Sequence, residues 1–326
     1  MNVKELPPLI QERLQGHRVT KNLRRQPRIF ADTTDFSRID YGDVIMVDDR
    51  YFLVVAYTKE GRFGVEDQVK PWVPKVEDLE SGEKYIVKLV FHETFDITLG
   101  AFTIPCYRSP EKEARVLELV RGHPHFMQGR AVLDAAGNLV RILDIINGTR
   151  LDRVIHRSKT EHKEYFFTEL PSILTSYLPC IDGIAMLHRH GLRHGDIRRD
   201  HIFVERPSGL YRWIDFDYDF YLPEKPFALD IYELGNLLMY LTGRGNYYVR
   251  DLLADPAKGE SIAQSIEPGD YSLLSKNRIA NLQKIFPYIP DSLNNIFLHF
   301  SLGTEVFYDS VSELHHDLAD ALAKGW

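Results

Sequence analysis

The chain has 326 residues, enough for two lobes with a sizeable core, and 44% of them are apolar while 27% are charged. The net charge of −7 argues against a nucleic-acid binder, and we expect no nucleic-acid partner. Two cysteines, Cys106 and Cys180, are too few for a disulfide framework and lack metal-ligand spacing. We therefore expect a reducing, cytoplasmic setting.

Residues 1–42 are polar and weakly periodic, and we predict that they form an N-terminal extension. Two interpretations stay open for its basic residues: a solvated arm, or a docking segment for an acidic partner. The first residues lack an apolar core of signal-peptide length, and no segment reaches the ~18 apolar residues that cross a bilayer. We expect no membrane span. The basic residues are Arg13, Arg18, Lys21, Arg24, Arg25 and Arg28.

The segment from Asp43 to about residue 100 is rich in predicted strands. Two β-rich runs flank an acidic turn at 48–50, which is the pattern of a hairpin. Further along, Lys88 lies inside an apolar run and shares one face of the strand with Ile86 and Val90. If that face is buried, Lys88 needs a partner of opposite charge.

A helix is predicted to begin at Ser109-Pro110, because serine caps helices and proline suits the first helical position. Glu113 lies on its inward stripe, since apolar residues follow at i+3, i+4 and i+7: Val116, Leu117 and Val120. We therefore predict that Glu113 pairs with Lys88. The alternative is a surface charge pair along the helix.

The second half of the chain is predicted to be helical. A hairpin around the turn 136–138 comes first, and apolar spacing of three and four then predicts helices over 170–190, 229–243, 291–301 and 310–323. The sequence thus predicts an α+β fold with two lobes, at 43–146 and 147–326. The first is an antiparallel-β lobe with one key helix, and the second is mainly α-helical.

The most informative stretch contains two acidic residues, Asp196 and Asp215, which lie 19 positions apart and each follow an apolar segment. A turn-forming sequence at 206–209 lies between them, which predicts two loops joined by a β-hairpin. This stretch resembles the protein-kinase signature, in which one loop supplies a base and a second holds magnesium. The resemblance runs from about residue 43 to 323 and implies a bilobal, protein-kinase-like fold.

The resemblance implies how ATP would be held. Gly61, Phe63 and Gly64 would cover the phosphates with close backbone contacts, although Lys59 replaces a glycine of the family pattern. Lys88 would hold the α- and β-phosphates.

Adenine contacts and catalytic roles follow from the same resemblance. Asp144 and Ile146, at the end of the last N-lobe strand, would offer backbone groups to adenine. Asp196 would accept or orient the proton of the acceptor hydroxyl. Arg198 would neutralise the γ-phosphate, and Glu113 would orient the phosphate-binding lysine.

Metal binding is implied for three further residues. Asp215 would bind Mg²⁺ between the phosphates, and Mn²⁺ is an alternative. His201 occupies the position of an asparagine that holds the second metal, and imidazole suits softer metals better than magnesium. Either one magnesium suffices, or Asp217 helps to hold the second.

Two departures point to an atypical subtype. Gly195 replaces an arginine that senses a phosphorylated activation loop, so this switch is expected to be absent. Only 15 positions separate Asp215 from Asp230, about half the usual interval, and no Ala-Pro-Glu motif is present. Short segments of this kind resemble RIO-type kinases and aminoglycoside or choline phosphotransferases.

We therefore expect an ATP-dependent phosphotransferase that moves the γ-phosphate of ATP to a hydroxyl of a protein Ser/Thr or a small molecule. The alternative is a pseudokinase that binds nucleotide or acts as a scaffold without turnover, and Lys59 and His201 motivate it. A purely structural fold without nucleotide is the third possibility.

Overall fold

The computed structural model of the chain describes residues 3–62, 65–100, 102–254 and 259–325, and for 60–62 and 65–67 it describes the backbone alone. The chain divides into two compact units. Unit 1 comprises Met1–Glu93, Arg108–His123 and Met127–Ile146. Unit 2 comprises Thr94–Tyr107, Pro124–Phe126 and Asn147–Trp326.

The strands, in chain order, are β1 (Ile29–Phe30), β2 (Val44–Val47), β3 (Arg50–Arg62), β4 (Val65–Asp78), β5 (Lys84–Lys88), β6 (Thr94–Leu99), β7 (Phe102–Arg108), β8 (Gly129–Leu133), β9 (Leu139–Asp144), β10 (Gly148–Arg150), β11 (Ile202–Glu205), β12 (Tyr211–Trp213) and β13 (Tyr218–Phe220).

The α-helices are α1 (Pro8–Gly16), α2 (Arg18–Lys21), α3 (Pro110–Leu119), α4 (Leu151–Arg157), α5 (His162–Thr168), α6 (Leu170–Arg189), α7 (Ala228–Gly243), α8 (Val249–Leu253), α9 (Gly259–Ser265), α10 (Asp291–Leu298) and α11 (Val311–Lys324).

Unit 1 is built on one sheet, whose described strands lie in the order β1-β2-β3-β4-β5-β9-β8. Neighbours from β2 to β8 run antiparallel, and β1 pairs with β2 in parallel. The first hairpin turns at Asp48 and Asp49, which both have positive φ, as a two-residue type I′ turn requires. Alternate residues of the strands bury one apolar cluster, which includes Val54, Val76 and Val87.

Helix α3 begins as its sequence predicts. The Ser109 hydroxyl accepts a hydrogen bond from the backbone N–H of Lys112, and Pro110 opens the helix. The helix packs against β8 and β9 through a buried stripe that includes Glu113, Val116 and Leu117. The inward direction of Glu113 is therefore a consequence of the apolar spacing around it.

The N-terminal residues differ from the expected solvated extension. Helices α1 and α2 contribute to a second core of unit 1, formed by Leu6, Ile10, Leu14, Val19, Val44, Leu53 and Leu79. Two of the basic residues also bind within the chain, because Arg25 and Arg28 pair with the buried carboxylate of Asp43. Leu6, Ile10 and Leu14 recur every four residues, but this short apolar pattern is too weak to predict the core from the sequence.

Unit 2 is mainly helical, with α6 packed against α7, α11 and β12. Two small sheets accompany the helices, in the orders β10-β11-β12 and β13-β7-β6. Helix α7 is buried on nearly every side, which is typical of a central core helix. In the part of the chain that the structure describes, one helix, α6, has the length and composition of a membrane span, and its inner face lies in the core of unit 2.

The predicted α+β architecture, with antiparallel strands in one lobe and mainly helices in the other, is confirmed. The predicted long helices agree with α6, α7, α10 and α11 to within three residues at each end. The hairpin of β6 and β7 was not predicted, and it belongs to unit 2 although unit 1 flanks it in the sequence.

Replacing Leu14 by alanine is expected to lower the free energy of unfolding by about 2–5 kcal/mol, because Leu14 is fully buried in the second core of unit 1. Leu9, one helix position away from this core and 51% exposed, is the matched control. Leu9→Ala is expected to change the same quantity by less than about 0.5 kcal/mol. Urea unfolding measures both, and equal losses would contradict the docking of α1.

Candidate active site

The predicted pair of Lys88 and Glu113 is present in unit 1. The Lys88 Nζ donates to Glu113 Oε1 over 2.8 Å, and both side chains are buried. Arg141 on β9 donates from Nε to the other oxygen of the same carboxylate over 3.0 Å, and it is buried as well. Glu113 therefore binds two cations, and removal of either partner would leave a buried charge exposed to a low dielectric.

The other predicted ATP-binding residues of unit 1 belong to the β3–β4 hairpin and to the end of β9. Gly61 lies in β3 close to the tip of the long β3–β4 hairpin, whereas Phe63 and Gly64 lie outside the described residues. Asp144 ends β9 with an exposed side chain, and its backbone N–H donates to the carbonyl of Gln128. Ile146 is the last residue of unit 1.

In unit 2, the predicted catalytic loop connects α6 to β11 and is held by a carboxylate of α7. The Asp230 carboxylate accepts the backbone N–H groups of His194 and Gly195 over 2.7 and 2.8 Å. The His188 ring donates to the same carboxylate over 3.0 Å. Burial alone would raise the pKa of Asp230, but these donors outweigh it and hold the pKa at about 2.

The next two backbone N–H groups of the loop also donate to side chains. That of Asp196 donates to the His194 ring, and that of Ile197 donates to Oε2 of Glu233 over 2.8 Å. Glu233 lies one helical turn after Asp230 on the same face of α7. Four consecutive loop residues are thus fixed by side chains.

Asp196, the predicted base, is surrounded by polar groups of the same loop. His201 Nδ1 donates to the Asp196 carbonyl over 2.8 Å and lies 3.5 Å from its carboxylate. The Arg198 guanidinium lies 3.4 Å from the carboxylate. Burial raises the pKa of Asp196, and the nearby His201 and Arg198 oppose this rise. A raised pKa makes a carboxylate a better proton acceptor.

Asp215, the predicted magnesium ligand, follows β12 in a left-handed backbone conformation with φ of 62°. Aspartate and asparagine tolerate this region better than most residues, and such positions concentrate at functional sites. Phe216 is fully buried, with its ring edge-on to Phe126 and His194. This packing fixes the chain directly next to Asp215. The Asp215 carboxylate stays at the loop surface, with 19% of the side chain exposed.

The predicted metal ligands do not form one ligand set. Among the residues described here, no three His, Cys, Asp or Glu side chains are arranged to hold a metal ion. Arg198 donates to His201 Nε2 over 2.7 Å, and because a guanidinium can only donate, the lone pair of this nitrogen is used. Asp217 is buried, with 2% exposure. In this arrangement His201 Nε2 is engaged by Arg198, and the assignment of His201 to a metal stays a prediction. The Asp215 carboxylate fits Mg²⁺, which prefers oxygen ligands.

The segment after Asp215 lies directly on the catalytic loop. Gly195 has a φ of 83°, and a Cβ placed on it would lie 1.9 Å from the carbonyl oxygen of Tyr218 in β13. No side chain fits in this space. The glycine in place of the family arginine is therefore a requirement of the short segment.

A β-hairpin of unit 2 covers the other side of β13. Strand β7 lies between β13 and β6, and the Tyr221 backbone N–H donates to the Pro105 carbonyl over 3.0 Å. The Cys106 thiol is buried in this hairpin. Burial raises its pKa to about 12, and the carboxyls of Glu233 and Asp196 add to the rise. The inward face of the hairpin thus lies near the catalytic loop.

Sequence reasoning missed two residues of the site, and both carried a readable signal. Arg141 lies inside the apolar run 139–143, which is the same pattern that identified Lys88. Glu233 lies inside the apolar helix α7, one turn after Asp230. A charged residue within an apolar element needs a partner, and both residues have one.

Comparisons with known proteins point to kinases. No family model matches the chain. The chain is 24% identical over 190 residues to death-associated protein kinase dapk-1 of Caenorhabditis elegans, covering 57% of this chain and 12% of that protein. It is 29% identical over 111 residues to a putative cyclin-dependent kinase F-2 of Oryza sativa subsp. japonica, covering 32% of each. The chain thus spans less than two thirds of either relative.

A solved kinase domain, that of PknI from Mycobacterium tuberculosis, has a TM-score of 0.48 and 13% identity, covering 83% of this chain and 95% of that one. The two curated relatives confirm the predicted resemblance to the protein-kinase-like superfamily.

Gly195→Ala is expected to destabilise the protein more than Gly191→Ala. Both glycines have positive φ, so alanine costs about 1–2 kcal/mol at each. A Cβ at Gly191 meets nothing within 4 Å, whereas at Gly195 it meets the Tyr218 carbonyl. The overpacking adds roughly 1–3 kcal/mol at Gly195 alone. Urea unfolding measures the difference, and equal stabilities would show that β13 does not lie on the loop.

Proposed function

We propose that this protein-kinase-like chain is an ATP-dependent phosphotransferase that moves the γ-phosphate of ATP to a hydroxyl acceptor. The observation that carries the proposal is the arrangement of the catalytic loop. It holds Asp196 beside Arg198 and His201, with the Asp215 carboxylate 3.6 Å from the His201 ring. The buried pair of Lys88 and Glu113 in unit 1 supports the same chemistry.

Each residue has a defined task in this reaction. The acceptor oxygen bonds to the γ-phosphorus as the bond from that phosphorus to the β,γ-bridging oxygen breaks, and ADP leaves. The acceptor proton passes to the Asp196 carboxylate. Arg198, whose side chain is 40% exposed, reaches the transferring phosphoryl group, and Lys88 binds the α- and β-phosphates.

Magnesium, when bound, would neutralise phosphate charge, and Asp215 is the residue that would hold it. We propose that one ion suffices. His201 uses Nε2 to fix Arg198 and Nδ1–H to bind the Asp196 carbonyl, so its contribution is to position these two residues.

A pseudokinase that binds nucleotide without turnover is the second candidate. The hydrogen bond from Arg198 to His201 favours the pseudokinase. His201 stands at the position of the second metal's asparagine ligand, and this bond uses the lone pair of its Nε2. Lys59, which replaces a glycine of the phosphate-covering loop, is exposed on β3. Turnover separates the two candidates, whereas nucleotide binding is expected for both.

For the acceptor, we propose a compact hydroxyl compound ahead of an extended peptide. Strand β7 occupies one edge of β13, and Gly195 lies against its Tyr218 carbonyl. A peptide that binds by adding a strand needs a free strand edge. These contacts occupy backbone of β13, so the segment after Asp215 offers less free edge for such a peptide.

ATP with Mg²⁺ is expected to raise the melting temperature by several degrees, whereas either one alone gives little change. A ligand at 100 times its Kd stabilises the folded state by about 2.7 kcal/mol. Asp215→Asn keeps a residue that tolerates positive φ but removes the charge, so its ATP shift should no longer depend on the metal. A shift unchanged in this variant would exclude Asp215 as the ligand. No shift in the wild type would exclude both nucleotide-binding candidates.

Asp196→Asn is expected to lower the rate of phosphoryl transfer by about 10²–10⁴-fold, because the general base is lost. Its metal-dependent ATP shift should remain. Asp320→Asn on the surface of α11 removes one carboxylate with little consequence and serves as the control. Transfer from labelled ATP to a panel of peptides and small hydroxyl compounds measures the rate. Equal rates in the wild type and Asp196→Asn would refute the assigned base.

A further inference from the structure

Helix α7 contains a second carboxyl group that binds the catalytic loop, one turn after Asp230. Glu233 Oε2 accepts the backbone N–H of Ile197 over 2.8 Å. Ile197 directly follows Asp196, whereas Asp230 binds the amides of the two residues before it. Backbone amides before and after Asp196, those of His194, Gly195 and Ile197, are therefore fixed to the same helix.

The support beneath these carboxyls is rigid. Helix α7 is buried along almost its whole length, including the residues that flank Glu233, Tyr232 and Leu234. A side chain on a buried helix is placed more accurately than one on a loop. Since positions i and i+3 share a helix face, Asp230 and Glu233 together define where the loop lies along α7.

The carboxyl groups of Asp230 and Glu233 have pKa values shifted in opposite directions. Burial, with the neighbouring carboxyls of Asp196 and Asp230, raises the pKa of Glu233 well above its ordinary value. The same helix thus presents an ionised carboxylate at Asp230 and favours a neutral acid at Glu233. A neutral acid accepts the Ile197 N–H through its carbonyl oxygen and adds no negative charge beside the base.

We infer that Glu233 is a positioning residue, which holds Asp196 in place through the Ile197 amide. This inference rests on the proposed phosphotransferase function for its kinetic consequence, but its structural part does not. Glutamine is the informative substitution, because its amide oxygen can accept the same hydrogen bond without a charge. Alanine removes the acceptor.

The kinetic test compares Glu233→Gln and Glu233→Ala with the wild type. Glu233→Ala is expected to lower kcat by about 10–100-fold with KM for ATP nearly unchanged, since a misplaced catalytic group affects the transfer step. Glu233→Gln should keep kcat within about threefold of the wild type. Glu224→Ala, an exposed glutamate of the same unit, controls for loss of one charge. Full activity in Glu233→Ala, or an equal loss in Glu233→Gln, overturns the inference.

The structural test needs no turnover. Amide hydrogen exchange at Ile197, followed by NMR, should be faster in Glu233→Ala and close to wild type in Glu233→Gln, because only alanine removes the acceptor. If exchange at Ile197 is the same in all three proteins, Glu233 does not hold the loop. Absence of transfer in the wild type would instead refute the proposed function, and the exchange result would still decide the positioning role.

Discussion

The arrangement of the catalytic loop depends on where its backbone N–H groups find acceptors. Residues 194–197 lie in neither a helix nor a sheet, and a buried N–H without a partner costs roughly 1–3 kcal/mol. The acceptors come from side chains, chiefly Asp230 and Glu233 on α7. Once these bonds form, the loop has one position, and Asp196, Arg198 and His201 follow from it. The geometry of the predicted catalytic loop is therefore a consequence of backbone hydrogen bonding.

Unit 1 shows the same dependence on buried polar pairs. Glu113 is carried inward by the apolar stripe of α3 and binds Lys88 and Arg141 from two neighbouring strands. Buried ion pairs add little net stability, but each one strongly disfavours arrangements that leave a charge unpaired. The triad therefore fixes the register of α3 against the sheet, and it keeps the Lys88 ammonium in one place.

The sequence was most informative where periodicity and charge acted together. The spacing of Val116, Leu117 and Val120 was sufficient to predict the direction of Glu113, because a helix must bury its apolar stripe. The paired motifs around Asp196 and Asp215 predicted the loops for a similar reason, since each acid follows an apolar strand or helix. The N-terminal core could not be predicted, because it depends on partners distant in sequence, Leu53 and Leu79. The hydrogen bond from Arg198 to His201 could not be predicted either, because it depends on the rotamer of Arg198.

The hairpin of β6 and β7 has a consequence for how the protein can be divided. The chain leaves unit 1 at Glu93 and returns at Arg108, whose backbone N–H donates to the Glu93 carbonyl and closes the base of the hairpin. A recombinant fragment that ends at Ile146 would retain β7 but lose its partner β13. The unpaired edge would then lie next to Phe102, which is exposed already, and such an edge promotes aggregation. A single cut of the chain therefore cannot divide the protein into its two compact units.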